Sequence, residues 1–466
     1  MALEVAYEEA DVDSTSEDSG YEEKFEGISE FDEVGCEFSL KSRPGLEWYQ
    51  ASFSLVVVVI GAGVMALPSL PLKGGLVPSF MLLFISGYAI FESGMAMWKG
   101  VMAWNLSSKG KSKVIVSYED FGRVGGGEVG QVVVAVFIIL YFLGIGAGFS
   151  VLIAESLEHL SQERVSTTSW IFITTPVYML LVMLPDVTAI AKAVPIAVLA
   201  VFILCGILIT KPVLDAQMWQ TWPDLTALHK IWPDDLGSLG TVLASLFGAF
   251  GVNGNVPSVL CEMKDQRQFP LAFKGAMLTV GVLYLAVMGC GYYGYGEFMQ
   301  SDIVDSLTSF PANETEAFHV EFEHWTGPKN RILASIMSSL LITKLIIGLP
   351  LNLMVIFYSM QTLKYTKAYF PVGSLANIVM RLTVVLICVG IALLVPNFGP
   401  LFALVCSISS PLLQAILPMY FSFRIRKSVG AKMSSITRKT LHMVIGAIAM
   451  YTLTIGFAQS LRDVIG

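Results

Sequence analysis

The sequence predicts an all-α polytopic membrane protein, and three observations predict it. Of the 466 residues 54% are hydrophobic and only 14% charged, against roughly 25% charged in an average soluble domain. The apolar residues gather in runs long enough to cross a bilayer core, which takes about 20 helical residues. Two of these runs are broken by glycine and proline at corresponding places. Together they predict eleven transmembrane helices: an inverted repeat of five plus five, with helices 1 and 6 broken, and one extra C-terminal helix. A disordered chain, a disulfide-stapled miniature and an ordinary soluble enzyme are excluded by composition.

Charge divides the chain in two. Residues 1–40 hold 14 acidic side chains and one basic one, Lys24, whereas the rest carries 28 basic and 23 acidic residues. The acidity belongs to a tail, so neither an acidic partner for the body nor a nucleic acid is implied. Residues 1–46 are too poor in apolar side chains to offset their ordering entropy and read as a disordered cytosolic tail. Ser14, Ser16 and Ser19 sit among its acids, as phosphorylation sites or simply as parts of a solvated segment. Residues 47–462 read as the transmembrane domain, with repeat one at about 48–211, repeat two at about 238–424 and helix 11 at about 440–460. Five of the six cysteines lie in apolar runs, so neither disulfides nor a metal cluster is expected.

Eleven segments qualify as spans: about 50–71, 76–98, 129–156, 169–184, 187–210, 239–262, 271–295, 331–358, 375–395, 399–422 and 440–460. With a cytosolic N-terminus, 18 lysines and arginines fall on the inner side and 7 on the outer, which fixes the orientation. The sequon at Asn313 then lies outside as a glycosylation acceptor, and that at Asn105 lies inside. Trp170, Trp219, Trp222, Trp232 and Trp325 fall at span ends or in outer loops, as interfacial anchors do.

The first span runs Ile60-Gly61-Ala62-Gly63-Val64-Met65-Ala66-Leu67-Pro68, and the sixth runs Gly248-Ala249-Phe250-Gly251-Val252-Asn253-Gly254-Asn255-Val256-Pro257. Unwound backbone in lipid leaves N–H and C=O groups without partners and survives only against a cavity, a ligand or other protein. Each break begins a group of five spans. An odd number per group forces opposite orientations, and paired interrupted helices point to a midplane site. The alternative is that these glycines let helices pack closely. A half-helix starting near Gly63 offers free N–H groups and a positive dipole end to a carboxylate. Carbonyls around Gly248–Gly251 would accept from an ammonium. Donors at one break and acceptors at the other suit a zwitterion, hence an amino acid.

At these residues the sequence resembles the amino acid/auxin permease family, in its vacuolar amino acid and vesicular inhibitory amino acid transporter branch. Gly61 through Pro68 resembles the family's first-helix motif, and Gly248 through Met263 its sixth-helix stretch. Thr343-Lys344 with Pro350 resembles a threonine-lysine motif of the eighth helix, and Pro396 through Ser407 the turn between the ninth and tenth. The resemblance covers most of residues 48–462. It implies the inverted five-plus-five arrangement, secondary transport of amino acids coupled to protons, and a vacuolar or other endomembrane location. Many members have a histidine where this chain has Asn253, which cannot titrate but can bond substrate.

Lys344 sits mid-span. An intramembrane lysine costs about 2.5–3.5 kcal/mol on insertion scales and is a functional candidate by default. It is the expected coupling group, with Thr343 beside it; the alternative is a fixed strut bonding carbonyls of the first break. Glu155 resembles a family glutamate near the outer end of span 3 and is a second coupling candidate, or is simply solvated at the interface. Glu92 is expected at the headgroups. Glu262 ends span 6 and is expected to pair with Lys264 or Arg267 in an inner gate. Tyr141 caps the site from the side, or bonds backbone. The substrate set is thus Gly61, Ala62, Gly63, Val64, Tyr141, Gly248, Phe250, Gly251 and Asn253. Gly144-Ile145-Gly146-Ala147-Gly148 lies inside a span and reads as close packing, not a phosphate loop. No cofactor is expected, and the partners are an amino acid, protons and the bilayer around a monomer. The expected function is secondary active amino acid transport by alternating access. Sodium coupling and a sensing receptor that binds without transporting are the alternatives.

Overall fold

The computed structural model describes residues 45–465 except 108–113, 162–163, 184–186, 217–228, 234, 300–305, 307–330, 364–365, 367, 372 and 432–434. The N-terminal tail and Asn313 therefore lie outside the described residues. Within them the chain is helical: α1 Trp48–Val59, α2 Gly63–Gly74, α3 Leu76–Asn105, α4 Tyr118–Leu160, α5 Thr167–Met183, α6 Val187–Ala216, α7 Leu236–Ala249, α8 Val256–Glu262, α9 Phe269–Tyr295, α10 Arg331–Thr362, α11 Leu375–Leu394, α12 Phe398–Ser428 and α13 Ile436–Ile465. The extended pairing described is one parallel bridge, Leu46 with Met263.

Local signals set the helix starts. Glu47 and Gln50 form a capping box at α1. Ser117, Ser374 and Ser435 each accept a backbone N–H at the starts of α4, α11 and α13. Gly75 turns the chain from α2 into α3 at φ +74°, and a Cβ there would lie 2.6 Å from the Trp232 carbonyl carbon.

Among the described residues eight of these helices are long and apolar enough to cross a membrane, nine with α7 and α8 taken together over Leu236–Glu262, and ten with α1 and α2 counted as one bent span. The expected eleventh falls on α5, which is apolar but only 17 residues long. The chain is a multi-pass integral membrane protein. Below, α1 with α2 is span 1, α7 with α8 is span 6, and the remaining helices are spans in chain order.

Helix contacts repeat with a period of five. Span 1 packs on span 7 as span 6 packs on span 2; span 5 on span 7 as span 10 on span 2; span 3 on span 10 as span 8 on span 5. Spans 3 and 8, and 4 and 9, pair with each other, as an exchange of halves requires. One pair breaks the pattern. Span 6 packs along span 10, but spans 1 and 5 make no comparable contact.

The two ends of the bundle are tied differently. At one end Leu76 donates to the Lys230 carbonyl (2.8 Å), and the Lys230 amide donates to the Tyr292 hydroxyl (2.8 Å). At the other, Leu46 donates to the Glu262 carbonyl (2.7 Å), Lys264 donates back to Leu46 (3.1 Å), and Lys264 Nζ pairs with Glu47 at 2.6 Å. Glu47 raises the Lys264 pKa above its ordinary value. The expected bridge from Glu262 to Lys264 is thus replaced by Glu47, because the bridge at Leu46 brings the residue after it to Lys264. Span 11 rests on span 6 where Gly240 and Gly456 cross, a Cβ on either coming within 2.6 Å of the other's backbone.

Candidate functional site

Both breaks exist as unwound backbone. The axes of α1 and α2 differ by 60° across Ile60–Ala62. Ile60 still donates to Val56 (3.0 Å), and Gly61 folds back onto Val59 (2.6 Å). The Ala62 N–H meets no backbone carbonyl among the described residues. In span 6, α7 ends at Ala249, Gly251 donates to Gly248 (3.0 Å), and α8 resumes at Val256 after a 3-10 turn over Asn253–Asn255. Val256-Pro257 starts the second half, where a proline at the second position costs no hydrogen bond.

A cavity of about 360 Å³ lies between the breaks. It is walled by Val57–Gly63 of span 1, Gly248, Ala249, Gly251 and Asn255 of span 6, Tyr141–Phe149 of α4, Val194–Phe202 of α6, Lys344–Val355 of α10 and Phe402. Its size sits near the lower end of small-molecule sites, roughly 300–1,000 Å³. It runs from the breaks toward the end of the bundle where α1 starts, filling the gap between spans 1 and 5. Among the described residues Lys344 is the one charged residue on its wall, with no aspartate or glutamate beside it. Its ammonium lies 5.4 Å from the Phe149 ring centroid, within cation–π reach, and no described carboxylate pairs with it.

Two tyrosines bind the breaks to the scaffold. The Tyr141 hydroxyl donates to the Gly248 carbonyl at 3.3 Å. The Tyr284 hydroxyl on α9 lies 2.9 Å from both the Val59 and Ala249 carbonyls, one proton shared between the two broken spans. The Gly248 carbonyl, expected to await an ammonium, is therefore already engaged twice, by the Gly251 N–H and the Tyr141 hydroxyl, which uses both of its lone pairs.

The sequence profile of a family described as transmembrane amino acid transporter protein matches residues 44–461, nearly all of the described bundle. The chain belongs to this transmembrane amino acid transporter family. Three Arabidopsis thaliana proteins are similar to it: amino acid transporter AVT3C (23% identity, 83% of this chain, 85% of that protein), AVT3B (24%, 83%, 87%) and AVT6B (24%, 58%, 62%). The family is one of transporters rather than enzymes.

Within this transporter bundle, seven of the expected residues, Gly61, Ala62, Gly63, Tyr141, Gly248, Gly251 and Lys344, line one cavity. Other expected residues do not reach it. Val64 is fully buried in the core, and Phe250 packs against Tyr284 with the rings tilted by 54° and 4.9 Å between centroids. Thr343 donates back to Ser339 on its own helix (2.7 Å), one step round from Lys344. Glu155 lies six residues beyond Phe149, about 9 Å further along α4. Glu262 is exposed at the far end of α8.

Asn253 is the clearest relocation. It is fully buried, and its Nδ2 donates to Ser93 Oγ (2.8 Å) and the Gln414 carbonyl (2.6 Å). Its backbone N–H donates to Gln414 Oε1 (2.9 Å). A π-helical turn over Leu412–Ile416 frees carbonyls in α12 for these bonds and for the Tyr118 hydroxyl on Leu413 (2.7 Å). The amide ties the break to α3 and α12 instead of facing the cavity; Asn255 faces it instead. Asn255, Asn352, Phe149, Phe402 and Tyr284 were missing from the expected set. The two asparagines were detectable as amides in apolar runs; the aromatics look like any core residue.

Proposed function

We propose that the chain is a proton-coupled secondary active transporter of neutral amino acids, working by alternating access. The observation that carries this reading is a single cavity bounded by both helix breaks and one lysine. The Ala62 amide and the start of α2 offer donors to a carboxylate, with the Lys344 ammonium adding positive charge. The Tyr141 hydroxyl oxygen and the Asn255 amide on the cavity wall offer acceptors to an ammonium. Apart from Asn352 the remaining described wall is glycine, alanine, valine, isoleucine, leucine and phenylalanine, which favours an uncharged, apolar substrate side chain. A cationic side chain would meet Lys344 and no carboxylate.

The mismatch between the halves supplies the transport step. Spans 6 and 10 are packed where their counterparts, spans 1 and 5, are parted. Exchanging the two arrangements would close the cavity on one side and open it on the other. By the distribution of lysines and arginines, the parted side is cytosolic. A vacuolar or other endomembrane location follows from the resemblance alone.

Purified protein in proteoliposomes is expected to accumulate labelled neutral amino acids under a pH gradient without sodium, and to show counterflow. Binding without counterflow would favour a sensing receptor; a requirement for sodium would replace the coupling ion. The exchange of arrangements has its own readout. Cys406 on span 10 is fully buried against span 6, where a Cβ on Gly248 would sit 2.1 Å from its Sγ. In a variant keeping only Cys406, alkylation by a permeant maleimide is expected to be slow at rest and faster during turnover. Labelling indifferent to turnover would count against the exchange.

A further inference from the structure

The cavity leaves a second polar cluster unexplained, where α3 and α12 finish and α13 begins. Glu92 is only 6% exposed; its Oε1 lies 2.9 Å from Arg438 Nε and 3.3 Å from His442 Nε2. Lys99, Arg426 and Lys439 complete the lining of a recess of about 30 Å³. Beside His442, two lysines and two arginines from three helices line the recess with one carboxylate. Lys99 and Lys439 form no ion pair among the described residues. Burying one carboxylate accounts for Arg438 and His442 but leaves Lys99 and Lys439 without an ion-pair partner among the described residues. Like charges so gathered repel, more strongly where helices displace water, and a multiply charged anion among them removes the repulsion.

We propose that this recess binds a phosphate monoester, with Glu92 as a positioning residue that holds Arg438 and His442 toward it. The Arg438 guanidinium, held by Glu92 through Nε alone, and the two ammonium groups of Lys99 and Lys439 match the oxygens of a phosphate dianion. A carboxylate would neutralise only one of the surplus charges. The recess admits a phosphate tip and no sugar or base. It sits at helix ends, where basic pockets between spans take up lipid headgroups. The same chemistry comes from a phosphoinositide headgroup or from free phosphate.

The test uses the full chain in phosphatidylcholine nanodiscs containing either phosphatidylinositol or phosphatidylinositol 4-phosphate, read by native mass spectrometry, with inorganic phosphate titrated into lipid-matched discs. The monophosphorylated lipid is expected to be retained preferentially. Each base removed is expected to cost about fivefold, so Lys99→Ala with Lys439→Ala costs roughly 25-fold. Lys439→Ala alone, on an exposed residue, gives a fivefold loss with no threat to folding. Retention that millimolar inorganic phosphate cannot displace identifies the headgroup as the source; phosphate binding in phosphatidylcholine discs with the same dependence on the two lysines identifies free phosphate. Equal retention of the two lipids with no phosphate binding, or binding indifferent to both lysines, overturns the proposal.

Discussion

Replacing Gly61 by valine is expected to reduce amino acid uptake by about 10- to 100-fold while leaving insertion and thermal stability near those of the unmodified chain. Gly61 lines the cavity, and a Cβ built on it finds only the Val59 carbonyl oxygen, at 3.7 Å. Its φ lies outside the left-handed region, so a side chain strains no backbone. The added methyls enter the space a substrate carboxylate would occupy. Overpacking a fitted site costs about 1–3 kcal/mol, and each 1.4 kcal/mol is about a factor of ten in binding. Gly63 behaves differently, although the motif treats the two glycines alike. A Cβ there lies 3.0 Å from Ala249 Cα and from Phe402 Cζ, at the contact between spans 1, 6 and 10. Gly63→Val is therefore expected to lower the melting temperature as well as uptake. Normalised uptake beside a thermal melt separates the two, and full uptake by Gly61→Val would remove this stretch from the binding site.

The breaks were legible in the sequence because glycine, proline and asparagine inside a 20-residue apolar run have few other reasons to be there. The same logic located Lys344. The direction each residue faces was not legible. Residues 61 to 64 lie within one turn, yet Gly61 faces the cavity, Gly63 meets span 6 and Val64 is sealed in the core. Neighbouring Thr343 and Lys344 face about 100° apart on their helix, and only the lysine reaches the cavity. Asn253 was misassigned for a related reason. Its partners are Ser93 and Gln414, some 160 residues away on either side. Gln414 reaches it through a π-helical turn that no spacing rule announces. Glu92 was misassigned because one helix in isolation places it near headgroups, whereas α13 folds back to cover it with Arg438 and His442.

Lys344→Met is expected to abolish accumulation driven by a pH gradient while leaving exchange of internal for external substrate. If one proton moves with each substrate, a gradient of one pH unit is worth about 1.4 kcal/mol, enough for roughly tenfold accumulation. Methionine keeps the length and apolar stem of lysine but has no proton to exchange, so the ratio should fall to about one. The geometry permits this role: the ammonium faces the cavity, rests on the Phe149 ring and has no carboxylate among the described residues to pin its charge. The rival role is a strut, held by carbonyls of the first break. No hydrogen bond from Lys344 to Val59, Ile60 or Gly61 exists in this arrangement, where Val59 is bonded by Tyr284 and Gly61. Lys344→Arg decides between the roles, because arginine keeps the charge yet does not deprotonate in proteins. A strut is at least partly restored by arginine, and its loss lowers uptake equally with and without a gradient. A coupling group is not restored, and steady-state accumulation measured at two gradients shows which behaviour the transporter follows.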